Sequence, residues 1–443
     1  MKTLKHVFAT AELRNKILFT LAMIALYRLG AQIPSPGVNL DAITQLANAS
    51  GDDSPTGGIF GYLQLFSGGG LGSLSFFALG ILPYITASII IQILTVAIPK
   101  LEEWQSQGAV GQRKITQWTR YVSMVLALVQ STSFVFLISG NPDGFFGTSG
   151  IDLFPRNQAN WGFKVVLAVT CMTVGTAIVM WMGELITQKG IGNGMSLMIF
   201  ASVVSGLPGI GLQIEVLQGW FGLIVALVLL VGLTAGITFV EQGQRRIPVN
   251  FAKRVVGRRQ YGGNNTYIPL KVNQAGVIPV IFASSLLQLP SLLVGVLPAD
   301  GWGQDIRGFV SDNLYRPDNI GYVLVFGLLI VGFAYFYNSI AFDPIRRADE
   351  LRKSGGFIPG IRPGPQTERY LAKVLNRITL PGAIFLAVVA LIPSAALSRA
   401  LGDSGTQVGF SGVSILIAVG VALETMKQID SHLLSQNYEG FLK

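Results

Sequence analysis

Few side chains in this 443-residue sequence are suited to covalent chemistry. The sequence contains one cysteine, Cys171, and two histidines, His6 and His432, which excludes a disulfide framework and a cysteine-based metal cluster. Ser414 lacks the glycine two residues later that a nucleophile elbow requires, and no His-Glu-x-x-His motif occurs. We therefore expect a protein that is not an enzyme, with no catalytic residue, no metal and no cofactor.

Basic side chains are the strongest candidates for recognition. Two segments, 241–273 and 342–377, are dense in arginine and lysine, and the whole sequence has a net charge of +9. Such segments suit phosphate-rich RNA, anionic lipid or an acidic protein surface. Within the first segment, residues 249–256 predict a strand.

Small polar side chains recur at helical spacing in two otherwise apolar stretches. Ser88 and Gln92 are four residues apart, and Ser284 and Gln288 repeat that spacing. Each pair therefore shares one face of a helix. Polar stripes of this kind either join helices or line a water-filled path, and helix packing is the more common use.

Long apolar runs are the elements that must position these groups. Half of the residues are hydrophobic and only 12% are charged, whereas about a quarter are charged in soluble domains. About 18 apolar residues are enough to cross the hydrocarbon layer as a helix. The ten runs of this kind are 17–34, 73–98, 118–139, 161–186, 195–212, 217–240, 274–297, 319–341, 378–397 and 409–428. They predict an all-α membrane protein, in which Pro83, Pro279, Pro290 and Pro393 can kink spans 2, 7 and 9.

The distribution of lysine and arginine predicts how these spans are oriented. All but six of the 32 basic residues lie at the termini or in and beside the segments that follow even-numbered spans. The positive-inside rule assigns those segments to the cytoplasm, so both termini are expected there. The first run lacks a small-residue cleavage site, which favours a retained helix over a removable signal peptide.

The segment between spans 1 and 2, residues 38–72, is too long for a plain connection. Residues 59–66 within it are apolar but too few to cross a membrane, so we expect them to be interfacial, re-entrant or buried in a cavity. Four of the six residues at 67–72 are glycine. The segment is either a short helix that moves on a glycine hinge or a loop with turn glycines.

Two other classes of membrane protein are compatible with this number of spans. A small-solute secondary transporter also has around ten spans, but spans 2 and 5–9 lack the ionisable side chains that ion coupling uses. An enzyme acting on lipid within the membrane would need a catalytic constellation, and the sequence contains none.

Five motifs point to a family. They are Phe-Ala-Leu-Gly-Ile-Leu-Pro-Tyr-Ile at 77–85, Ser-Ile-Ile-Ile-Gln at 88–92, Gly-Ile-Gly-Asn-Gly at 190–194, Pro-Leu-Lys-Val-Asn-Gln-Ala-Gly-Val-Ile-Pro at 269–279 and Gly-Ile-Arg-Pro-Gly at 360–364. In this order they closely resemble the bacterial SecY family, whose members form the central subunit of the Sec translocon. The similarity extends from residues 27–30 to residues 438–440, which is nearly the whole chain.

The resemblance implies a channel that translocates unfolded preproteins across the membrane and releases transmembrane segments laterally into it. Its ten helices would form two pseudo-symmetric halves around a central pore, residues 1–212 with spans 1–5 and residues 213–443 with spans 6–10. The family's pore ring corresponds to Ile81, Ile85, Met195, Ile199, Ile281 and Ile417. Met195 departs from the isoleucine that is more frequent at its place, which keeps the ring apolar but makes it more flexible.

The resemblance also implies a plug, a lateral gate and a docking surface. The plug is a helix of about residues 58–72, with its side chains and glycine hinge at Phe60, Leu63, Leu65, Phe66, Gly68, Gly69 and Gly70. The gate lies where spans 2 and 3 face spans 7 and 8, and the polar residues that we expect to pair across it are Ser88, Gln92, Gln130, Ser284 and Gln288. Arg258, Arg259 and Arg362 match positions that meet the ribosome or the SecA motor.

The partners and location follow from the same resemblance. We expect the subunits SecE and SecG, the SecA motor ATPase, the ribosome, signal sequences and preproteins, and membrane lipids that include anionic ones. The protein is expected in the bacterial cytoplasmic membrane as a multi-pass protein.

Overall fold

The computed structural model describes residues 11–39, 70, 74–140, 161–251, 254–256, 259–261, 266–296, 319–401 and 412–440. Its backbone is mostly helical. The helices are α1 (Ala11–Gln32), α2 (Leu82–Ala97), α3 (Pro99–Ser106), α4 (Ala109–Gly140), α5 (Trp161–Lys189), α6 (Gly194–Gln242), α7 (Ile278–Val296), α8 (Ile320–Ala341), α9 (Pro344–Lys353), α10 (Pro365–Leu401) and α11 (Gly412–Gly440). The strands are β1 (Gln244–Phe251), β2 (Arg254–Val256), β3 (Arg259–Tyr261), β4 (Thr266–Lys271) and β5 (Gly356–Phe357).

Apolar composition and length make several of these helices suited to span a membrane. Six qualify among the described residues: Trp161–Lys189, Gly194–Val216, Gly219–Gln242, Ile320–Lys353, Pro365–Pro393 and Gly412–Leu433. The pair α2 and α3, bent by 101°, is a seventh candidate if it counts as one span. Each of the ten predicted runs overlaps a helix, but the count of ten spans stays a prediction.

The outer faces of these helices are apolar. In the second part of α6, the side chains of Trp220, Phe221, Val228 and Phe239 are all strongly exposed. Exposing such side chains to water is unfavourable, whereas lipid tails solvate them at no cost. The chain is therefore built as a multi-pass membrane protein.

Two of the four prolines that were predicted to kink spans lie in the first turns of helices instead. Residues 74–80 form turns, and α2 begins at Leu82 with Pro83 in its first turn. Pro279 is likewise the second residue of α7. A first-turn residue donates no intrahelical hydrogen bond, so proline is tolerated there without a kink. The predictions for Pro83 and Pro279 were therefore wrong, while Pro290 lies inside α7 and Pro393 lies inside α10.

Helix α6 contains both span 5 and span 6. The break between them is at Gly219, whose φ of 66° and ψ of −168° are not helical. Glycine adopts this backbone conformation readily because it has no Cβ. The predicted boundary between two halves at residues 212 and 213 lies close to this break and stays a prediction.

Most helices share one apolar core. Its largest fully buried side chains include Tyr27 on α1, Met172 on α5, Met198 on α6 and Phe326 on α8. Helix α6 packs against α5 and α11, and α10 packs against α8 and α11. Helices from both ends of the chain thus meet in the same interior.

A second, smaller core lies under the two basic segments. Strand β1 pairs antiparallel with β4, where Ile247 faces Ile268, and with β5, where Asn250 faces Phe357. The buried side chains of this second core are Ile247, Val249, Leu270, Phe342, Ile358, Leu371, Val374 and Leu375. We call this unit the basic domain, residues 244–271 together with residues 342–378. The strand predicted at 249–256 is divided between β1 and β2.

Candidate functional site

The six residues predicted to form the pore ring lie within the first two turns of four helices or just before the first turn. They are Ile81 and Ile85 at the start of α2, Met195 and Ile199 at the start of α6, Ile281 in α7 and Ile417 in α11. The pairs on α2 and α6 are four residues apart, a spacing that brings two side chains onto one helix face. Each pair can therefore point into the same interior.

All six side chains belong to the large apolar core that most helices share. The five isoleucines are buried, from Ile417, which is fully enclosed, to Ile85, which is 8% exposed. Met195 is partly buried and packs against the same group. Residues that are far apart in the sequence thus belong to one interior, in which α2 contacts α7 and α6 contacts α11.

The start of α6 is held by a side-chain cap. Asn193 Oδ1 accepts a hydrogen bond from the Met195 amide at 3.1 Å, and Thr187 Oγ1 accepts one from the Gly194 amide at 2.9 Å. The first amides of a helix have no partner inside it, so these two bonds satisfy groups that would otherwise be unpaired. The cap therefore orients the helix turn that carries Met195.

The helices predicted to form the lateral gate are in contact. Helix α7 packs against α2 and against α4. The polar side chains described there bond within their own helices: Gln92 Nε2 donates to Ser88 Oγ at 3.2 Å, and Ser284 Oγ donates to the Ile281 carbonyl at 2.9 Å. Gln130 is half-buried on α4, and Gln288 is described by its backbone on α7. Pairing across the gate stays a prediction.

The predicted plug falls largely outside the described residues. Phe60, Leu63, Leu65, Phe66, Gly68 and Gly69 lie there, whereas Gly70 is described and buried.

The chain that follows the predicted plug is fixed by backbone hydrogen bonds. The Gly70 carbonyl accepts a bond from the Ser75 amide at 2.8 Å, and the Phe76 amide donates to the Ile33 carbonyl at 2.8 Å. The Ser35 amide donates to the Leu74 carbonyl at 2.9 Å. The entry into α2 is thus tied to the end of α1.

Arg362, one of three predicted docking residues, lies on the surface of the basic domain. Its side chain is exposed in the connection before α10, and its carbonyl accepts a hydrogen bond from Thr367 Oγ1 at 3.1 Å. Gly360 and Gly364 on either side have φ angles of 80° and 109°, which glycine adopts without strain. Arg259 begins β3, and Arg258 lies outside the described residues.

Three polar contacts between elements have no clear signal in the sequence. Tyr27 Oη and Ser202 Oγ are 2.7 Å apart and join α1 to α6. Asn273 Nδ2 donates to Glu241 Oε1 at the end of α6. In each case the partners are distant in the sequence, so only the tertiary structure shows that they meet.

The third contact is a two-pronged ion pair between Arg120 on α4 and Glu184 on α5. Arg120 Nε donates to Oε1 at 2.7 Å and Nη2 donates to Oε2 at 2.6 Å. A charged residue within an apolar span was the available hint, since such residues usually have a partner. The two residues are 64 positions apart, so the sequence did not identify that partner.

Among the described residues, no group of three or more histidine, cysteine, aspartate or glutamate side chains is placed to hold a metal ion. The six residues predicted to form the pore ring have apolar side chains instead, which are suited to non-covalent contact. An apolar collar offers no hydrogen-bond partner to a polar chain, so it would contact such a chain only weakly.

Comparison with known proteins agrees with the resemblance. A family model described as SecY matches residues 75–426. The protein translocase subunit SecY of Mycobacterium tuberculosis strain H37Rv is 49% identical over 444 residues, covering 98% of each chain. The counterpart from Corynebacterium glutamicum is 48% identical over 452 residues, covering 100% of each chain.

Solved structures support the fold. One described as the structure of a protein conducting channel matches with a TM-score of 0.60 at 19% identity, over 94% of this chain and 91% of that one. Sec61 in a canine ribosome–channel complex matches with a TM-score of 0.56 at 18% identity, over the same shares. Since the family model matches most of the sequence and relatives of nearly half identity cover almost all of it, the chain belongs to the SecY family.

Proposed function

We propose that this chain is the channel-forming subunit of a protein translocase, which passes unfolded preproteins across the membrane and releases transmembrane segments laterally. One observation carries the proposal: six apolar side chains from α2, α6, α7 and α11, far apart in the sequence, all lie in one apolar core. The relatives that match over their full length are protein translocase subunits, which supports the same function.

The pore ring is the proposed role of Ile81, Ile85, Met195, Ile199, Ile281 and Ile417. Apolar side chains fill the constriction and exclude water when no chain passes, which opposes the passage of ions. They also yield to a translocating polypeptide, since dispersion contacts are individually weak. Ten spans in two halves, 1–212 and 213–443, would surround this ring.

The lateral gate is the proposed role of the contact between α7 and the pair α2 and α4. A signal helix would open it by binding the open form more tightly than the closed form, because a ligand shifts an equilibrium only by differential affinity. The half-buried polar residues Ser88, Gln92, Gln130 and Ser284, together with Gln288, would lower the cost of parting these helices. The segment of about residues 58–72 would act as the plug that opening displaces.

Docking of energy-supplying partners is the proposed role of the basic domain. This channel makes and breaks no bond, so the work of translocation must come from a motor ATPase, from the elongating ribosome or from the membrane potential. Solved structures with this fold include Sec61 in a ribosome–channel complex, which supports a ribosome as one partner. SecA would contact Arg258, Arg259 and the exposed Arg362, and SecE and SecG would complete the channel.

The bacterial cytoplasmic membrane is the proposed location, with both termini in the cytoplasm. The bias of lysine and arginine supports this orientation. It puts the basic domain on the side where ribosomes and ATP are found. It also brings the domain close to anionic headgroups, which attract basic segments.

The proposal is tested in proteoliposomes that contain this chain and its SecE partner, supplied with SecA and ATP. A preprotein with a signal sequence should become protected from external protease, and protection should require ATP. If an established translocon protects the preprotein in parallel vesicles and this chain does not, the proposal fails. Uptake of a small solute without preprotein protection would support a transporter instead.

A further inference from the structure

Gly183 on α5 lies directly against the side chain of Met195 on α6. A Cβ atom built on Gly183 would lie 2.5 Å from Met195 Sδ and 3.2 Å from its terminal methyl carbon. A distance of 2.5 Å is well inside the optimal separation of non-bonded heavy atoms. The thioether therefore occupies space that is open only because residue 183 has no side chain.

The backbones of the two helices approach each other closely around this contact and are tied together there. Gly183 is buried, and a Cβ on Gly194 would collide with the Gly183 carbonyl oxygen. The Thr187 hydroxyl donates to that carbonyl at 3.0 Å and accepts from the Gly194 amide at 2.9 Å. Helices α5 and α6 are thus joined immediately before Met195.

We propose that Gly183 is a positioning residue for Met195, holding its thioether against α5 and so setting the width of the pore ring at that position. The inference rests on the proposed function, since it gives Met195 its place in the ring. Methionine has three rotatable side-chain bonds, so its backbone position alone does not determine where its sulfur lies. The open space at Gly183, which has no side chain, determines where the sulfur lies. A methyl group on residue 183 would displace the thioether from α5 and so change its place in the ring.

Gly183→Ala is a suitable test because the protein should still fold. The atoms that the new methyl group would meet are the sulfur and terminal carbon of a flexible side chain, and these can rotate away. Alanine is also a better helix former than glycine. Gly232→Ala on α6 is the matched control, because a Cβ there meets nothing within 4 Å.

The placement of the side chain is measured first, without any transport. Methionine labelled with ¹³C at its methyl group gives signals from the nine methionines of the chain, and the signal lost in Met195→Ile is that of Met195. In Gly183→Ala we expect this signal to shift, while that of exposed Met426 stays in place. Gly232→Ala should shift neither signal. An unchanged Met195 signal in folded Gly183→Ala would overturn the inference.

The consequence for the pore is measured as a double-mutant cycle in the translocation assay. Gly183→Ala should lower the translocation rate about threefold or more in the Met195 background, a coupling typical of residues in contact. In the Met195→Ile background the same substitution should change the rate far less, because no thioether reaches residue 183. An equal loss in both backgrounds would overturn the inference. If the unaltered chain translocates nothing, the proposed function fails, and the methyl signal alone decides whether Gly183 positions Met195.

Discussion

Asn273 links Glu241 to the start of helix α7. Its side-chain amide donates to Glu241 Oε1 at 2.5 Å and to the Gly276 carbonyl at 3.0 Å. Glu241 lies at the end of α6, where the chain enters the basic domain, and Gly276 lies just before α7, where it returns. One buried side chain therefore ties both connections of the basic domain to the helix that we propose as part of the gate.

We expect Asn273→Ala to lower the stability of the folded protein by about 1–3 kcal/mol, the usual cost of leaving a buried polar group without its partner. Asn273→Asp should cost more, because a second carboxylate would then face Glu241. The measurement is the midpoint of thermal unfolding in detergent. Asn376→Ala, at an exposed position on α10, is the control and should leave the midpoint in place. A midpoint for Asn273→Ala equal to that of the unaltered protein would argue against this link.

The ion pair between Arg120 and Glu184 predicts a second loss of stability. Glu184 is 15% exposed and Arg120 is 44% exposed, so water partly screens the pair. Glu184→Gln should therefore cost only about 1–2 kcal/mol. The exposed Glu103 on α3 offers the control Glu103→Gln, which should cost nothing measurable.

Exchanging the two charges separates pairing from local packing. In the double variant Arg120→Glu with Glu184→Arg, we expect part of the lost stability to return, because opposite charges again face each other. Thermal unfolding of both single variants and of the double variant gives this coupling. Losses that simply add would mean that the pair contributes no interaction of its own.

The proposed pore ring predicts an ion leak when one member becomes polar. Ile281→Asn puts an amide into the apolar group, where it can hold water and ease the passage of ions. We expect the resting ion flux through the channel in planar bilayers to rise several-fold. Ile330→Asn is the matched control, because Ile330 on α8 is fully buried in the same core but is not a proposed ring member. Equal leaks from both variants would remove the special role of Ile281.

Reversing the charge of Arg362 should weaken coupling to the motor. An exposed arginine that attracts an acidic surface repels it once it becomes glutamate. We expect ATP-dependent protection of a preprotein to fall at least about tenfold in Arg362→Glu, a change worth about 1.4 kcal/mol. Lys373→Glu makes the same charge change at another exposed position of the basic domain and should have a much smaller effect. If the two variants lose activity equally, net charge rather than Arg362 determines docking.

Much of the architecture could be read from the sequence because the membrane restricts what a chain can do. In the hydrocarbon layer no water can bond to the backbone, so a segment there must form its backbone hydrogen bonds internally. A long apolar run therefore becomes a helix. Each predicted run does overlap a helix, and the expected membership of the SecY family is confirmed. Prediction failed where proline has two possible effects on a helix. Pro83 lies in the first turn of α2 and does not kink it, because a first-turn residue needs no amide hydrogen.

The basic domain could not be predicted to the same degree. Hydrophobic periodicity marks a strand but not its partner, and Asn250 pairs with Phe357 from a segment more than a hundred residues away. The sequence indicated two separate basic segments. The structure joins them over a shared core that includes Val249 and Leu371.

By itself, the sequence determined the class of protein, its apolar helices, its family and the residue types available for function. The tertiary structure alone decided which side chains meet: Arg120 with Glu184, Asn273 with Glu241, and Met195 with Gly183. The physical reason is how far along the chain each kind of interaction reaches. Solvation and backbone hydrogen bonding act on each segment independently of the rest of the chain, whereas these contacts depend on how helices pack, and packing is set by the shapes of all helices together.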